Sequence, residues 1–243
     1  SALKRAGVSI ADIDTVIVAT ITFPHQAPSA ATAIIERLGN PTAAAFDIGA
    51  ACAGFSYAVS MAHDFVFAGT SKKVLVIGVE KISDFTNPDD RATAFIFADG
   101  AGAVVIGASD TPGIGPVVWG SDAENRDAIT MDPPWTAMRS ATQKSVGDID
   151  WPNISQEGQK VFRWAVFSMS KAALKALESA GLTVNDIDAF IPHQANVRII
   201  ETMAKEMDMP DSVVIADDIR KNGNTSAASI PLAMDALLQK HPE

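Results

Sequence analysis

Cysteine is nearly absent from this sequence, which contains a single one, Cys52, among its 243 residues. One cysteine cannot form a disulfide within the chain, and it cannot supply a zinc site built from several thiolates. Disulfide frameworks are typical of secreted proteins, and no charged-then-apolar leader opens the chain. The sequence therefore favours a cytoplasmic location.

Basic residues are in the minority, with 19 Lys and Arg against 29 Asp and Glu and a formal net charge of −10. Nucleic acid needs a basic surface for its phosphates, so we expect no nucleic-acid partner. An anionic partner could bind only at a local basic patch. Apolar runs long enough to span a bilayer are also missing, and we expect no membrane partner. The 47% of hydrophobic and 20% of charged residues are typical of a globular chain with a sizeable core.

An internal repeat organises the chain. Residues 2–17 read ALKRAGVSIADIDTVI and residues 176–191 read ALESAGLTVNDIDAFI, a constant offset of 174 (176 − 2). Eight positions are identical without a gap, which favours duplication of a domain over shared helix-end chemistry. The identical pairs are Ala2 and Ala176, Leu3 and Leu177, Ala6 and Ala180, Gly7 and Gly181, Asp12 and Asp186, Ile13 and Ile187, Asp14 and Asp188, and Ile17 and Ile191.

The two copies continue with the same order of predicted elements. In each, a helix ends at Ala-Gly, and Asp-Ile-Asp leads into an apolar strand, a loop, a helix, an extended stretch, a sharp turn and a small-residue helix. These elements fall at residues 16–19, 29–38, 46–48 and 53–68 in the first copy, and at 189–191, 196–207, 217–219 and 226–238 in the second. Further strands are predicted at 74–79 and 102–107, and a long helix at about 156–179.

Strands that alternate with helices predict right-handed βαβ units and mainly parallel sheets. We therefore predict an α/β fold of two duplicated halves, residues 1–108 and 156–243, related by a pseudo-twofold axis. Residues 109–155, rich in Gly, Pro, Asp and Trp, form an irregular insertion that either lines a substrate entrance or is a surface linker. Compared with each other, the halves look cut short at both ends, and we expect a longer parent domain.

Cys52 lies in the small-residue sequence GAACAG (residues 49–54), directly before a predicted helix. Unpaired backbone N–H groups and the positive end of a helix lower a thiol pKa and favour a thiolate nucleophile. Taken alone, the residue favours a buried structural cysteine over a nucleophile.

His193, in the sequence IPHQAN (residues 191–196), stands at the carboxyl end of a predicted strand, where parallel α/β folds place their sites. Asn224, in NGNTS (residues 222–226), alone reads as a turn and helix cap. However, Cys52 follows Asp14 by 38 residues (52 − 14) and Asn224 follows Asp188 by 36 (224 − 188). The two therefore occupy the same strand-to-helix turn of their halves, and the pseudo-twofold axis predicts that they face each other with His193 one strand away.

Three motifs carry a resemblance to a known family. AACAGF (residues 50–55), PHQAN (192–196) and GNTSAAS (223–229), supported by DR (90–91) and FADGAGA (97–103), resemble the 3-oxoacyl-acyl carrier protein synthase III family of the thiolase superfamily. The resemblance runs in order over essentially the whole chain. It implies a five-layer α-β-α-β-α fold and a homodimer whose sheet continues across the interface.

The resemblance also implies a reaction. Cys52 would take the acyl group of a starter acyl-CoA, while His193 and Asn224 would stabilise the enolate formed when malonyl-acyl carrier protein loses carbon dioxide. Condensation of the two would initiate fatty-acid synthesis by ping-pong kinetics. No metal and no cofactor are implied, since the CoA thioester is a substrate.

Other positions resemble the binding residues of the family. Arg91 matches the arginine at the CoA adenine end, and Gly158, Phe162 and Asn196 match the lining of the pantetheine tunnel. Arg163, Arg198 and Lys205 match a basic patch that docks the acidic carrier protein, although any of these charges could simply be solvated. Gly100 and Gly102 are expected to be packing glycines rather than a phosphate loop.

Two departures from the family pattern bear on activity. The family extends beyond both ends of this chain, and we expect this exact chain to be impaired in catalysis. Ala27 stands where the family often has a large side chain reaching from the partner subunit into the acyl pocket, which suggests room for a longer or branched starter.

Other functions remain open at this point. Thiolases use a second cysteine, and hydroxymethylglutaryl-CoA synthases use a glutamate for which no motif stands out. A papain-like hydrolase shares the order Cys, His, Asn, but the duplicated α/β pattern argues against it. A non-catalytic fragment that only binds CoA or carrier protein is the remaining alternative.

Overall fold

The computed structural model describes residues 1–141 and 151–241. Helices and strands alternate through most of this range. The helices are α1 (Ala2–Ala6), α2 (Ala30–Leu38), α3 (Gly54–Phe67), α4 (Trp135–Ala141), α5 (Gly158–Trp164), α6 (Ser170–Ser179), α7 (Val197–Glu206), α8 (Ile219–Asn222) and α9 (Ser229–Lys240). The strands are β1 (Thr15–Ala19), β2 (Ala44–Ile48), β3 (Lys73–Glu80), β4 (Gly100–Gly107), β5 (Ile129–Asp132), β6 (Asn153–Gln156), β7 (Ala189–Phe190) and β8 (Val214–Ile215).

The main sheet has the strand order β2-β1-β3-β4. Strand β1 pairs in parallel with both β2 and β3, and β4 returns antiparallel along β3. The predicted parallel βαβ arrangement is thereby confirmed for the first half. In the second half, β7 and β8 also pair in parallel.

The central strand β1 is buried on both faces, and all five of its residues are buried. Because side chains alternate along a strand, Val16 and Val18 pack with α2 on one face, while Ile17 packs with α3 and Phe55 on the other. This continuous apolar run is typical of a strand with helices on both sides.

Helix α9 of the second half packs on the sheet of the first half. Its residues Ile230 and Met234 join the apolar cluster around Ile17 and α3. A Cβ at Gly100 would lie 2.8 Å from Thr225, and one at Gly102 would lie 2.8 Å from Pro231. The predicted packing role of these two glycines is confirmed, since both allow the second half to approach strand β4.

The repeat is visible in local structure. The two Ala-Gly sequences end their helices with left-handed glycines, Gly7 at φ 63° and Gly181 at φ 71°. Each glycine is followed by a single helical turn with a complete capping box, closed by Ser9 in the first copy and Thr183 in the second. The positions of all four residues keep the offset of 174, so the duplicated sequence folds into duplicated backbone.

One predicted element of the repeat is wrong. Residues 217–219 are not extended, because β8 ends at Ile215 and Asp218 is already helical at φ −57° and ψ −28°. The Asp218 carboxylate accepts from the Asn222 side chain at 2.9 and 3.0 Å, and this contact stabilises the short helix α8. The last residues of the strand in the first copy are therefore replaced by a helical turn in the second.

The long predicted helix begins two residues late, at Gly158, because Gln156 closes strand β6. It then continues through a π-helical segment, Ala165–Met169, into α6. The described part of 109–155 contains an antiparallel pair, β5 and β6, and helix α4, so it is not wholly irregular. Residues 142–150 of this segment and 242–243 of the second half lie outside the described residues, and the division into 1–108, 109–155 and 156–243 stays a prediction.

Within residues 1–141 and 151–241, no helix combines the length and the apolar character needed to cross a membrane.

Candidate active site

Cys52 lies in a tight 3-10 turn, Ala51–Ala53, that leads directly into α3. Ala51 takes a left-handed backbone at φ 44°, which turns the chain sharply from β2 into the helix. Gly54 permits the close approach of this helix to the sheet, because a Cβ there would lie 2.9 Å from the Cβ of Ala19. The thiol is therefore held at the amino end of a helix, as the sequence predicted.

Cys52 is partly exposed, and its turn is in contact with the turn Ser226–Ala228. Burial raises the pKa of the thiol, but the charge of His193 and the hydrogen bonds from His193 and Ser226 outweigh it, so the net pKa lies below its usual value. The carboxylate of Glu80 acts in the opposite direction, since its negative charge raises the thiol pKa. A lowered pKa favours the nucleophilic thiolate.

His193 follows strand β7, and its Nδ1 lies 2.6 Å from the Ser229 hydroxyl. That hydroxyl also accepts from the Gln194 backbone N–H at 3.2 Å and keeps one proton of its own that it can donate. In the tautomer in which Nδ1 accepts that proton, Nε2 is the ring nitrogen left for Cys52 and for substrate. The neighbouring Gln194 is fully buried and bonds Pro192 and Ile219, so the loop that carries the imidazole is fixed on both sides.

Asn224 is buried, and its backbone pairs with both sides of Phe97, receiving Ala98 N–H at 2.9 Å and donating to Ile96 at 2.8 Å. Its side-chain Oδ1 accepts from the Ser226 N–H at 2.9 Å. This bond orients the amide, so that Nδ2 points toward the histidine loop, 3.5 Å from the Ala195 carbonyl.

The two strand-to-helix connections meet, as the pseudo-symmetry predicted. The turn Ser226–Ala228 before α9 corresponds to Ala51–Ala53 before α3, and the two turns are in contact. Their first residues share the left-handed backbone, with Ser226 at φ 50°. The residue-by-residue counterpart of Cys52 is therefore Ala227, and Asn224 precedes the turn instead of lying within it.

An open cavity of about 440 Å³ lies beside the loop that carries His193. It brings together the three residues predicted for the pantetheine tunnel and two of the three predicted for carrier-protein docking. The lining is Gly158, Gln159, Phe162, Arg163, Asn196 and Arg198. Asn196 also caps α7, since its Oδ1 accepts the Arg198 N–H at 2.8 Å, and its loop is the one that carries His193.

Three predicted residues lie apart from this cavity. Lys205 is exposed on α7, and Ala27 is exposed in the connection between β1 and α2. Arg91 is exposed in a loop held by Asp90, whose carboxylate accepts from the Thr93 hydroxyl at 2.6 Å and the Ala92 N–H at 2.9 Å. The Thr93 hydrogen bond, followed by that of Ala92, lowers the pKa of Asp90.

Sequence reasoning missed four polar residues of the site: Glu80, Gln194, Ser226 and Ser229. Three of them lie inside the motifs already noted, PHQAN and GNTSAAS, where only the histidine and the asparagines were singled out. Glu80 gives a fainter signal, as an acidic residue at the end of an otherwise apolar strand. Among the described residues, no group of three or more His, Cys, Asp or Glu could hold a metal ion.

Two stretches of the chain match models of a known protein family. Residues 46–123 match the family model of 3-oxoacyl-[acyl-carrier-protein (ACP)] synthase III, and residues 177–242 match the model of its C-terminal part. The beta-ketoacyl-[acyl-carrier-protein] synthase III of Streptomyces glaucescens is 52% identical over 237 residues, covering 98% of this chain and 70% of that protein. Synthase III 1 of Streptomyces coelicolor is also 52% identical, over 98% of this chain and 71% of that protein.

Solved structures resemble the fold closely. The priming beta-ketosynthase of the R1128 polyketide biosynthetic pathway superposes with a TM-score of 0.92 at 44% identity, covering 97% of this chain and 69% of that one. The 3-oxoacyl-(acyl carrier protein) synthase III of Pseudomonas aeruginosa PAO1 gives a TM-score of 0.88 at 35% identity, with 98% and 72% covered. The predicted α/β fold class is confirmed by these likenesses.

Proposed function

Because the chain belongs to the 3-oxoacyl-[acyl-carrier-protein] synthase III family, we propose that it is the acyltransferase that initiates fatty-acid synthesis. It condenses a starter acyl-CoA with malonyl-acyl carrier protein to give 3-oxoacyl-acyl carrier protein. The observation that carries the proposal is the single thiol, Cys52, activated between His193 and Ser226 at the start of a helix, in a chain of this family.

The first half-reaction is acyl transfer to Cys52. The thiolate attacks the thioester carbonyl of acyl-CoA, the new sulfur–carbon bond forms, and the CoA thiolate leaves and takes up a proton. A lowered pKa makes a thiol more reactive at neutral pH, and the pKa of Cys52 is lowered.

The second half-reaction is decarboxylative condensation. Malonyl-acyl carrier protein loses carbon dioxide, and the electron pair of the broken bond becomes an enolate. The His193 Nε2–H and the Asn224 Nδ2–H donate hydrogen bonds to the enolate oxygen, which stabilises the charge as it develops. The carbanion attacks the acyl carbon, and Cys52 leaves as the thiolate. Since loss of carbon dioxide generates the nucleophile, these steps use no metal and no further cofactor.

The cavity beside the histidine loop is proposed to admit the pantetheine arm along Gly158, Phe162 and Asn196. Arg91 is proposed to bind the adenine end of CoA. Arg163 and Arg198 at the rim, with Lys205 further along α7, form the proposed docking patch for the acidic carrier protein. Such a patch steers association even on a protein of negative total charge.

Two further properties belong to this proposal. Among the described residues, β2 pairs with β1 alone and so leaves one edge of the main sheet open, which is consistent with a homodimer whose sheet continues through a partner strand. The small side chain of Ala27 is proposed to leave room for longer or branched starters. We also propose a division of the chain in which residues 1–108 carry the nucleophile and residues 156–243 carry His193 and Asn224, separated by the insertion 109–155.

The test is intact mass spectrometry of the chain after incubation with acetyl-CoA and longer acyl-CoAs. We expect one acyl adduct that disappears in Cys52→Ala, and a preference that shifts toward short chains in Ala27→Phe. Addition of malonyl-acyl carrier protein should then discharge the adduct in the native chain, but slowly in His193→Ala and Asn224→Ala.

Each alternative has its own signature in this experiment. An adduct that persists in Cys52→Ala would contradict the assigned nucleophile. Release of free acid without an adduct would indicate a thioester hydrolase, and saturable binding without acylation on a folded chain would indicate a binding module.

A further inference from the structure

Glu80 is a buried acidic residue that the proposed reaction does not use. It ends strand β3 and is 2% exposed. An ionised carboxylate at such a depth is stable only when several hydrogen bonds compensate its lost hydration, so its partners decide which protonation state it holds.

The Oε2 oxygen of Glu80 accepts three hydrogen bonds from the loop after β1. They come from the Thr22 hydroxyl at 2.7 Å, the Ile21 N–H at 3.1 Å and the Thr20 hydroxyl at 3.2 Å. Each hydroxyl oxygen also accepts a backbone N–H, Thr20 from Thr22 at 3.2 Å and Thr22 from Lys81 at 2.8 Å. With three donors on Oε2, a proton on this carboxyl has its place on Oε1.

Among residues 1–141 and 151–241, the Oε1 oxygen meets one hydroxyl, that of Ser226, at 3.3 Å. This contact joins residues 146 positions apart and links the sheet of the first half to the turn before α9. Ser226 is itself buried, its turn is in contact with the turn that carries Cys52, and its hydroxyl lowers the pKa of the Cys52 thiol. Ser226 therefore links the Glu80 carboxyl to the turn of the nucleophile.

A serine hydroxyl has one proton to donate. If Glu80 is ionised, Ser226 donates that proton to Oε1, and the proton is not available to the Cys52 sulfur. If Glu80 is neutral, Oε1–H donates to Ser226, and the Ser226 proton is available for the thiolate. We propose that Glu80 is a positioning residue that acts on the nucleophile through Ser226. Glu80 and Cys52 compete for the single proton of the Ser226 hydroxyl, so only the neutral Glu80 carboxyl supports the Cys52 thiolate.

The surrounding charges agree with this competition. Burial raises the pKa of Glu80, against the opposing hydrogen bonds of Thr22, Ile21, Thr20 and Ser226. Of the described groups that act on the Cys52 thiol, the titratable ones are His193 and Glu80. The loop after β1 and the turn Ser226–Ala228 bond Glu80 through hydroxyl and backbone N–H groups. In that loop His25 is exposed and packs against Phe23, while Lys81 points to the surface and pairs with Asp84.

The inference deepens the proposed function, since it concerns the same nucleophile, but its test needs no acyl donor. Cys52 is the one cysteine of the chain, so alkylation by iodoacetamide, followed by intact mass, reports on this thiol alone. The measured quantity is the midpoint of the alkylation rate against pH. An inability to condense acyl groups would leave this measurement unaffected.

Glu80→Gln mimics the neutral carboxyl, because its carbonyl can accept the three donors and its NH₂ can donate to Ser226. We expect its midpoint to fall by about half a pH unit or more, which is roughly a three-fold gain in rate below the midpoint. Ser226→Ala should raise the midpoint, and the turn tolerates alanine, since Ala51 takes the same left-handed backbone in the twin turn. In the Ser226→Ala background, Glu80→Gln should have a smaller effect.

An unchanged or raised midpoint in Glu80→Gln, or two effects that simply add in the double variant, would overturn the proposal. Glu36→Gln, an exposed change on α2, is the control that should leave the midpoint in place. Thr22→Val tests the same idea without altering Glu80: it removes one donor to the carboxylate and should also lower the midpoint. An unshifted profile in a folded Thr22→Val protein would count equally against the proposal.

Discussion

Gly78→Ala probes the contact that holds the two halves of the site together. A Cβ at Gly78 would lie 2.1 Å from the Ala227 carbonyl oxygen, 2.7 Å from the Ala227 carbonyl carbon and 3.2 Å from the Cα of Ala228. All three are backbone atoms of the turn before α9, so no flexible side chain can move aside. To restore a separation of 3.0 Å, the turn must retreat from β3 by about 0.9 Å.

Such overpacking typically costs about 1–3 kcal/mol, and a contact between rigid backbone atoms places this substitution at the upper end. For a chain of this size, about 3 kcal/mol lowers the melting temperature by roughly 6–12 °C. The displaced turn also carries Ser226 away from Cys52, and a misplacement of about 1 Å in an active site can lower activity by about 100-fold.

Gly107→Ala is the matched control, because it lies in the same sheet and its Cβ would meet only ordinary contacts at 3.5 and 3.6 Å. Thermal unfolding and the rate of Cys52 acylation measure the two effects. If Gly78→Ala proved as stable and as reactive as Gly107→Ala, the close packing of the turn on β3 would be refuted as a requirement of the site.

Three further changes test separate parts of the site. Ser229→Ala removes the partner of His193 Nδ1, and we expect condensation to fall by about 10-fold or more while acylation by acetyl-CoA falls less; equal losses in both steps would contradict a role in orienting the imidazole. Arg163→Ala should raise the KM for malonyl-acyl carrier protein, more so at low salt, and more than Lys205→Ala does, because Arg163 lines the cavity and Lys205 does not; the reverse order would place the docking patch on α7, away from the cavity. Asp14 accepts two backbone N–H groups that lower its pKa, so its contribution to stability is present above about pH 4 and is lost as the pH falls through the lower folded value. Unfolding followed between about pH 5 and pH 2 should show a smaller loss of stability in Asp14→Asn than in the native chain, and parallel losses would exclude this carboxylate as a cause.

The local features of the fold were predictable from sequence because their causes lie within a few residues. Helix-ending glycines, capping boxes and the apolar run of β1 depend on backbone preference, side-chain hydrogen bonds and burial over short stretches. The prediction failed at 217–219 for the same reason: helix α8 depends on the contact of Asp218 with Asn222, which competed locally with a strand expected only from symmetry.

Cys52 and Asn224 could be placed in matching connections by counting residues from the two Asp-Ile-Asp sequences. The count could not resolve which residues face one another, because the second connection contains α8 and reaches the equivalent turn by a different path. The true counterparts are Cys52 and Ala227, and Asn224 enters the site from the residue bridge with Phe97.

The sequence by itself determined the duplicated α/β architecture, the family and the three residues proposed for chemistry, since these follow from periodicity, repeat spacing and short motifs. Only the tertiary structure decided how the thiol is tuned. The partners of His193 and Cys52, namely Ser229, Ser226 and Glu80, come from elements that are distant along the chain. Glu80 and Ser226 meet across 146 positions, because glycines in β3 and β4 let the second half pack directly on the first. A local pattern carries no record of such a contact, which exists only once both halves are folded and their buried polar groups must satisfy one another.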